Sequence, residues 1–179
     1  MRLYKTINIK IKFRACSYIK TDLLNSFGFI KVGLTSPKNG KMIMENEIYQ
    51  NLMISAEEAR NGAYTPYSHF KVGAALLCKD GKIYTGCNIE NAAFTPTVCA
   101  ERVAFFKAVS DGEKDFVAIA IVGGREKDSA SFCAPCGVCR QVMAEFVNEN
   151  FKILLGNSTG FKAYALNELL PFAFTGKEI

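Results

Sequence analysis

Three cysteines and one glutamate constrain this chain more than any other feature. Cys99 is followed two residues later by Glu101, and Pro135 introduces a Cys136-Gly137-Val138-Cys139 segment further along. A Cys-x-x-Cys pair supplies two thiolates from one turn. A third thiolate from a distant segment, with a carboxylate close behind it, makes a three-ligand zinc site with an open fourth position, the arrangement of a catalytic metal. Any fold for this chain must therefore bring residue 99 against residues 136–139. Cys133 complicates the ligand count, because Cys133, Cys136 and Cys139 are evenly spaced and a closed, structural four-thiolate site is conceivable. Pro135, starting a helix after it, points Cys133 away from the ligand turn.

The remaining cysteines, Cys16, Cys78 and Cys87, bring the total to seven. An odd, uneven set fits a reducing compartment with metal ligands better than a disulfide framework. The apolar content of 49% in 179 residues is ample for one domain with a core. No apolar run approaches the ~20 residues that span a bilayer, and the first residues lack a secretory signal, so a cytoplasmic protein is expected.

The net charge of +5 invites a nucleic-acid reading, and its distribution argues against one. Residues 1–43 hold nine basic residues and a single acid, Asp22, whereas residues 44–179 hold thirteen basic and sixteen acidic residues. A domain that neutralises phosphates carries a basic face, and this body is mildly acidic. The basic stretch 1–43 is set apart as an extension, either disordered or a misassigned start with Met42 and Met44 as alternative initiators. A transit peptide is the other reading, supported by its scarcity of acids and weakened by lysines outnumbering arginines. Residues 44–179 form the functional domain.

Along that domain a helical period starts at Met44, with Ile48, Leu52, Met53, Ala56 and Ala59 on one face and Gly62 as its stop. Phe70–Cys78 reads as a buried strand, Lys79-Asp80-Gly81-Lys82 as a hairpin turn, and Ile83–Ile89 as the return strand. Cys99–Ser110 is helical in pattern, with Val103, Phe106 and Val109 spaced to face the core. Phe116–Val122 is a continuous apolar run fit for a strand buried on both faces, followed by Gly123-Gly124 and a polar loop. A helix from Cys136, two short strands at 151–155 and 161–165, and a short helix at 166–170 complete the pattern. Alternating strands and helices predict an α/β sandwich around a mixed sheet.

Both cysteine segments open helices, whose amino ends stabilise thiolates. Arg102 is either a donor to a ligand sulfur, offsetting the charge of three thiolates around Zn²⁺, or a solvated helix residue. Asn88 and Glu90 at a strand end are either substrate contacts or turn residues bonded to their own backbone. The only histidine, His69, reads as an exposed loop residue.

Taken together, Cys99-Ala100-Glu101 and Pro135-Cys136-x-x-Cys139 resemble the zinc nucleoside-deaminase signature, in which a non-ligand Glu follows the first ligand by two. With Cys in the first position the chain is similar to the small homotetrameric cytidine deaminases over about residues 50–175. Tyr67–Ala75, Gly86–Ala92 and Leu169–Phe174 are similar to further segments of that family. The resemblance implies a three-layer α/β/α sandwich around a mixed five-stranded sheet, and one Zn²⁺ per subunit held by Cys99, Cys136 and Cys139. It implies Glu101 as the proton shuttle in a zinc-assisted hydrolysis of the amidine C–N bond of cytidine and deoxycytidine, a step of pyrimidine salvage. It also implies Phe70 stacking on the pyrimidine, Asn88 and Glu90 on the sugar hydroxyls, and backbone contacts to the base edge around Ala100 and Cys136. Phe174 would close a neighbouring subunit's site in a homotetramer. Phe94 stands where the family often has Tyr. A nucleoside substrate follows, with neither nucleic acid nor membrane as partner. The alternatives are a deaminase of a cytosine-containing antibiotic or modified nucleoside, and a non-enzymatic zinc module.

Overall fold

The structure is a computed structural model and describes residues 37–176; most of the basic extension lies outside them. Helix α1 (Pro37–Arg60) leads into strands β1 (Phe70–Cys78) and β2 (Ile83–Cys87), helix α2 (Ala100–Ser110) and strand β3 (Phe116–Arg125). Strand β4 (Ser131–Phe132), helix α3 (Gly137–Phe146), strands β5 (Lys152–Asn157) and β6 (Gly160–Tyr164), and helix α4 (Leu166–Leu169) follow. The first helix begins seven residues before the position at which its apolar period starts, at a proline, whose fixed φ suits a first turn.

The sheet runs β2-β1-β3-β5-β6, antiparallel except for the parallel β3–β5 pair. Crossing between those parallel strands is α3, as a parallel connection requires. The two-residue β4 pairs with Val122 and Gly123 and makes a sixth strand that no apolar pattern signals. At the β1–β2 turn, Gly81 has φ +92°, a conformation that favours glycine, and Asp80 accepts the Lys82 N–H at 3.0 Å.

Period-two alternation sends successive side chains to opposite faces, so each central strand feeds two cores. Ala74, Leu76, Ile119, Ile121, Ile153 and Leu155 pack under α2 and α3, while Ala75, Ala118, Ala120, Val122 and Leu154 pack under Tyr49, Leu52, Met53 and Ala56 of α1. This is the expected three-layer α/β/α sandwich. Among the described residues no helix is long and apolar enough to cross a membrane.

Three local expectations differ from what is observed. Ile48 is 48% exposed and Tyr49 takes its place in the core. On α2 the inward stripe is Ala100, Ala104, Phe105 and Ala108, with Phe106 48% exposed. Small residues face the sheet there because α2 lies almost on β2: a Cβ at Gly86 would stand 2.3 Å from the Ala100 carbonyl. Phe105 instead fills a ring cluster with Phe116, Phe146 and Phe151. Finally, Gly123 and Gly124 do not leave the sheet; they continue β3, because close neighbours occupy the space their side chains would need.

Candidate active site

Cys99 and Cys136 are the N-cap residues of α2 and α3, both in extended backbone, and neither side chain makes a capping hydrogen bond. Their sulfurs are therefore free to face one another where the two helix amino ends converge. Cys99 Sγ lies 3.8 Å from Cys136 Sγ, which lies 3.6 Å from Cys139 Sγ, and all three sulfurs fall within 4.8 Å of one another. Tetrahedral zinc with Zn–S bonds of ~2.3 Å holds its sulfurs ~3.8 Å apart. The donor set thus fits Zn²⁺ in chemistry and in spacing. Cys139 is fully buried and Cys136 is exposed, so the cluster is anchored in the core and opens outward.

The electrostatics favour a thiolate at Cys99. Hydrogen bonding from Cys139 draws the Cys99 thiol down to about 5 against the opposing effect of burial, with Arg102 and Cys136 assisting. The same bond, with burial adding, pushes the Cys139 thiol up. Arg102 donates from Nη2 to the Thr97 carbonyl at 2.9 Å and lies 3.9 Å from Cys99 Sγ, which favours the reading that sets it against a ligand sulfur over that of a solvated residue.

Glu101, in the first turn of α2, is only 4% exposed. Burial pushes its carboxyl up to about 7, and the nearby Cys99 charge adds to the rise. A carboxyl poised near neutrality both accepts and returns a proton at working pH. Cys133 lies outside the cluster of three sulfurs, and burial raises its thiol to about 11, with the charges of Glu101 and Cys99 adding. It is not free of the site, however. A Cβ at Gly123 would meet Cys133 Cβ and Sγ at 2.7 Å and the Phe70 ring at 3.0 Å, so the ring of Phe70 and the Cys133 thiol close over that glycine.

The other sequence-derived residues are distributed around this centre. Asn88 accepts the Val72 N–H at 2.8 Å and donates to the Phe70 carbonyl at 2.9 Å. Glu90 accepts the backbone N–H groups of Tyr67 at 3.0 Å and Ser68 at 3.2 Å, together with the Ser68 hydroxyl. The hydroxyl above all holds its carboxylate below the usual range. Ile89, between them, bridges to Val98 and so joins this segment to the entry of α2. Ala100 is buried against β2. Phe174 is not drawn in: its ring is 61% exposed, and its carbonyl accepts Gln141 Nε2 at 2.7 Å.

A cavity of about 390 Å³ is lined by Tyr67, Ser68, Glu90, Asn91, Phe94 and Thr97, which stands two residues before Cys99 in the chain. Thr97 is not singled out in the sequence; its hydroxyl accepts the Asn91 N–H at 3.1 Å and its carbonyl accepts Arg102, while the Tyr67 ring lies 6.2 Å from that of Phe94. A second cluster of Cys78, Asp80 and Glu113 also has metal-ligand spacing, but the Lys82 ammonium sits between both carboxylates and already fills the cation's place.

The profile of one protein family, the cytidine and deoxycytidylate deaminase zinc-binding region, matches residues 46–155. A cytidine deaminase of Halalkalibacterium halodurans is 51% identical over 131 residues, 73% of this chain and 96% of that protein. The chain belongs to the cytidine and deoxycytidylate deaminase family. A crystal structure of cytidine deaminase from Burkholderia pseudomallei superposes with a TM-score of 0.64 at 44% identity, covering 70% of this chain and 98% of that one. A blasticidin-S deaminase of Bacillus cereus is 35% identical over 108 residues, 58% of this chain and 76% of that protein. The family is a zinc-binding one, and Cys99, Cys136 and Cys139 are the residues of this chain suited to hold the ion.

Proposed function

We propose that this chain hydrolyses cytidine and deoxycytidine to uridine and deoxyuridine with release of ammonia. The observation that carries the reading is the trio of sulfurs at tetrahedral spacing with the buried Glu101 carboxyl beside it. Cys99, Cys136 and Cys139 would hold the zinc, which would supply Lewis acidity able to bring the pKa of a water from ~15.7 to near neutrality. Glu101 moves the protons: it takes one from the attacking water and delivers it to N3 of the cytosine ring, then takes the second from the hydroxyl added at C4 and gives it to the amino nitrogen, which leaves as ammonia as the C4 carbonyl forms. Arg102 balances the thiolate charge at Cys99. Phe70 packs on the pyrimidine, the backbone around Ala100 and Cys136 meets the base edge, and Asn88 and Glu90 meet the sugar.

Residues 44–179 carry this activity, and the basic stretch 1–43 is an appendage to it. The assembly is a homotetramer in which Phe174 reaches a neighbouring subunit's site; the outward-facing Phe94, Phe106 and Phe174 support this, since each leaves apolar surface for a partner copy. Free cysteines throughout the described chain suit a reducing cytoplasm and a place in pyrimidine salvage.

The test is to incubate zinc-loaded protein with cytidine, deoxycytidine, free cytosine, blasticidin S and a cytosine-containing oligonucleotide, following ammonia and the deaminated product. The two nucleosides are converted and the oligonucleotide is left intact. Full zinc occupancy with no ammonia from cytidine overturns the reading in favour of a zinc module, and preference for blasticidin S moves the substrate to the antibiotic.

A further inference from the structure

Arg60, the last residue of α1, is only 9% exposed, and among the described residues no carboxylate lies within ion-pair distance of it. Its guanidinium is instead surrounded by backbone carbonyls. Nε donates to Lys71 at 3.2 Å, and Nη2 donates to Arg125 at 2.6 Å and to Asp128 at 3.1 Å. A buried cation needs such partners, and the planar fork of arginine serves several splayed acceptors where the compact ammonium of lysine does not.

Two glycines make room for this arrangement. A Cβ at Gly73 would stand 2.1 Å from the Ala56 carbonyl and 2.5 Å from the Arg60 nitrogen, so the end of α1 lies directly on β1. A Cβ at Gly124 would press on Arg60 Nη2 and the Ser129 carbonyl at 3.0 Å.

Each carbonyl that Arg60 holds belongs to a segment bearing a wall of the site. Lys71 follows Phe70 in β1, and Arg125 is the register partner of Phe70 in β3. Asp128 lies in the turn before β4, which runs into Cys133, Pro135 and Cys136. The Phe70 ring and Cys133 meet over Gly123, one residue from the glycine that admits the guanidinium.

We propose that Arg60 is a positioning residue for the nucleoside. It clamps the start of β1, the end of β3 and the turn at Asp128 together, so that Phe70 and Cys133 present a fixed wall to the base. This deepens the proposed function and rests on its placement of the pyrimidine against Phe70. Arg60 touches neither the thiolates nor Glu101, so its loss weakens substrate binding while the proton transfers persist.

The experiment compares zinc-loaded wild type with Arg60→Lys and Gly124→Ala, the latter displacing the guanidinium without removing it. Amide hydrogen exchange followed by mass spectrometry is expected to quicken by about tenfold in peptides covering 70–72 and 126–133, with the α2 amides unchanged. The KM for cytidine is expected to rise by about tenfold and inhibition by uridine to weaken by the same factor, with kcat within about threefold. Wild-type turnover of cytidine decides the proposed function separately, and the exchange comparison reads the clamp whatever the substrate. Unchanged exchange in those peptides overturns the proposal, as does a fall in kcat at constant KM or a lowered thermal midpoint with intact kinetics. Should Arg60→Lys not fold, Gly124→Ala decides between these outcomes.

Discussion

The sulfurs of Cys99, Cys136 and Cys139 face one another, and neither N-cap thiol bonds to the backbone that carries it, whereas the polar groups of Asn88 and Glu90 are already bonded to the chain around them. The first region is a set of donors aimed at a common point. The second is a scaffold, in which each side chain proposed to meet the sugar also pins a loop: Asn88 ties the end of β2 to β1, and Glu90 holds Tyr67 and Ser68. The contrast separates two kinds of failure. Damage to the thiolate centre removes chemistry and leaves the walls standing. Damage to the wall removes affinity and leaves the chemistry standing.

The largest effect is expected from Cys136→Ala. Cys136 is exposed, so truncating it disturbs little packing, yet it takes away the sulfur shared between the 3.8 Å and 3.6 Å contacts. Zinc content should collapse and turnover should fall below detection, while the metal-free variant melts where metal-free wild type does. Full zinc occupancy in Cys136→Ala would remove that cysteine from the ligand set. Glu101→Gln comes next. It keeps shape and neutrality in a buried position whose carboxyl already sits near 7, so zinc stays and kcat drops by about 10²- to 10⁴-fold. Near-normal turnover in this variant would mean that another group moves the protons.

That the centre is readable in the sequence and parts of its surroundings are not has a physical cause. Thiol ligands announce themselves through spacing, and the helices they open are capped by the same residues, so Cys99, Glu101, Cys136 and Cys139 can be named together. The apolar run Phe116–Val122 likewise predicts a doubly buried strand. Gly123 and Gly124 read as a loop because glycine weakens a strand locally, and the contacts that demand it, from Phe70, Cys133 and Arg60, are all long-range. The inward face of α2 differs from its apolar pattern for a similar reason: Phe106 and Val103 are the stronger apolar signal, but Gly86 draws the alanine side of the helix onto the sheet. Arg60 leaves no trace, since its partners are backbone carbonyls, which every sequence has.

A middle-sized effect tests the scaffold side of the comparison. Glu90→Gln removes the charge that accepts two backbone N–H groups and the Ser68 hydroxyl. The KM for cytidine should rise by about tenfold, as expected when charge-assisted bonds are lost, with kcat little changed and zinc retained. The sign of the pH dependence follows. Because the Ser68 hydroxyl holds the folded pKa of Glu90 below the ordinary carboxylate value of ~4.3, its support is fully present above that value. It is lost only as pH falls through the lowered folded pKa. A variant that loses zinc, or loses kcat at constant KM, would show that Glu90 belongs to the centre and would erase the contrast.

The smallest effect on zinc is expected at the residue that lies between the two regions. Cys133 touches the wall through Phe70 and Gly123, and its thiol feels the charges of Glu101 and Cys99, yet it is absent from the sulfur cluster. Burial, with the charges of Glu101 and Cys99 adding, raises its thiol to about 11. Cys133→Ser should therefore bind one zinc per chain, as the wild type does, with kcat unchanged and a KM shift of about threefold or less from the altered contact with Phe70. Loss of zinc in this variant would convert the open three-thiolate centre into a closed four-thiolate one. An ion so enclosed has no position left for water, and the difference between a reacting centre and a binding wall would disappear with it.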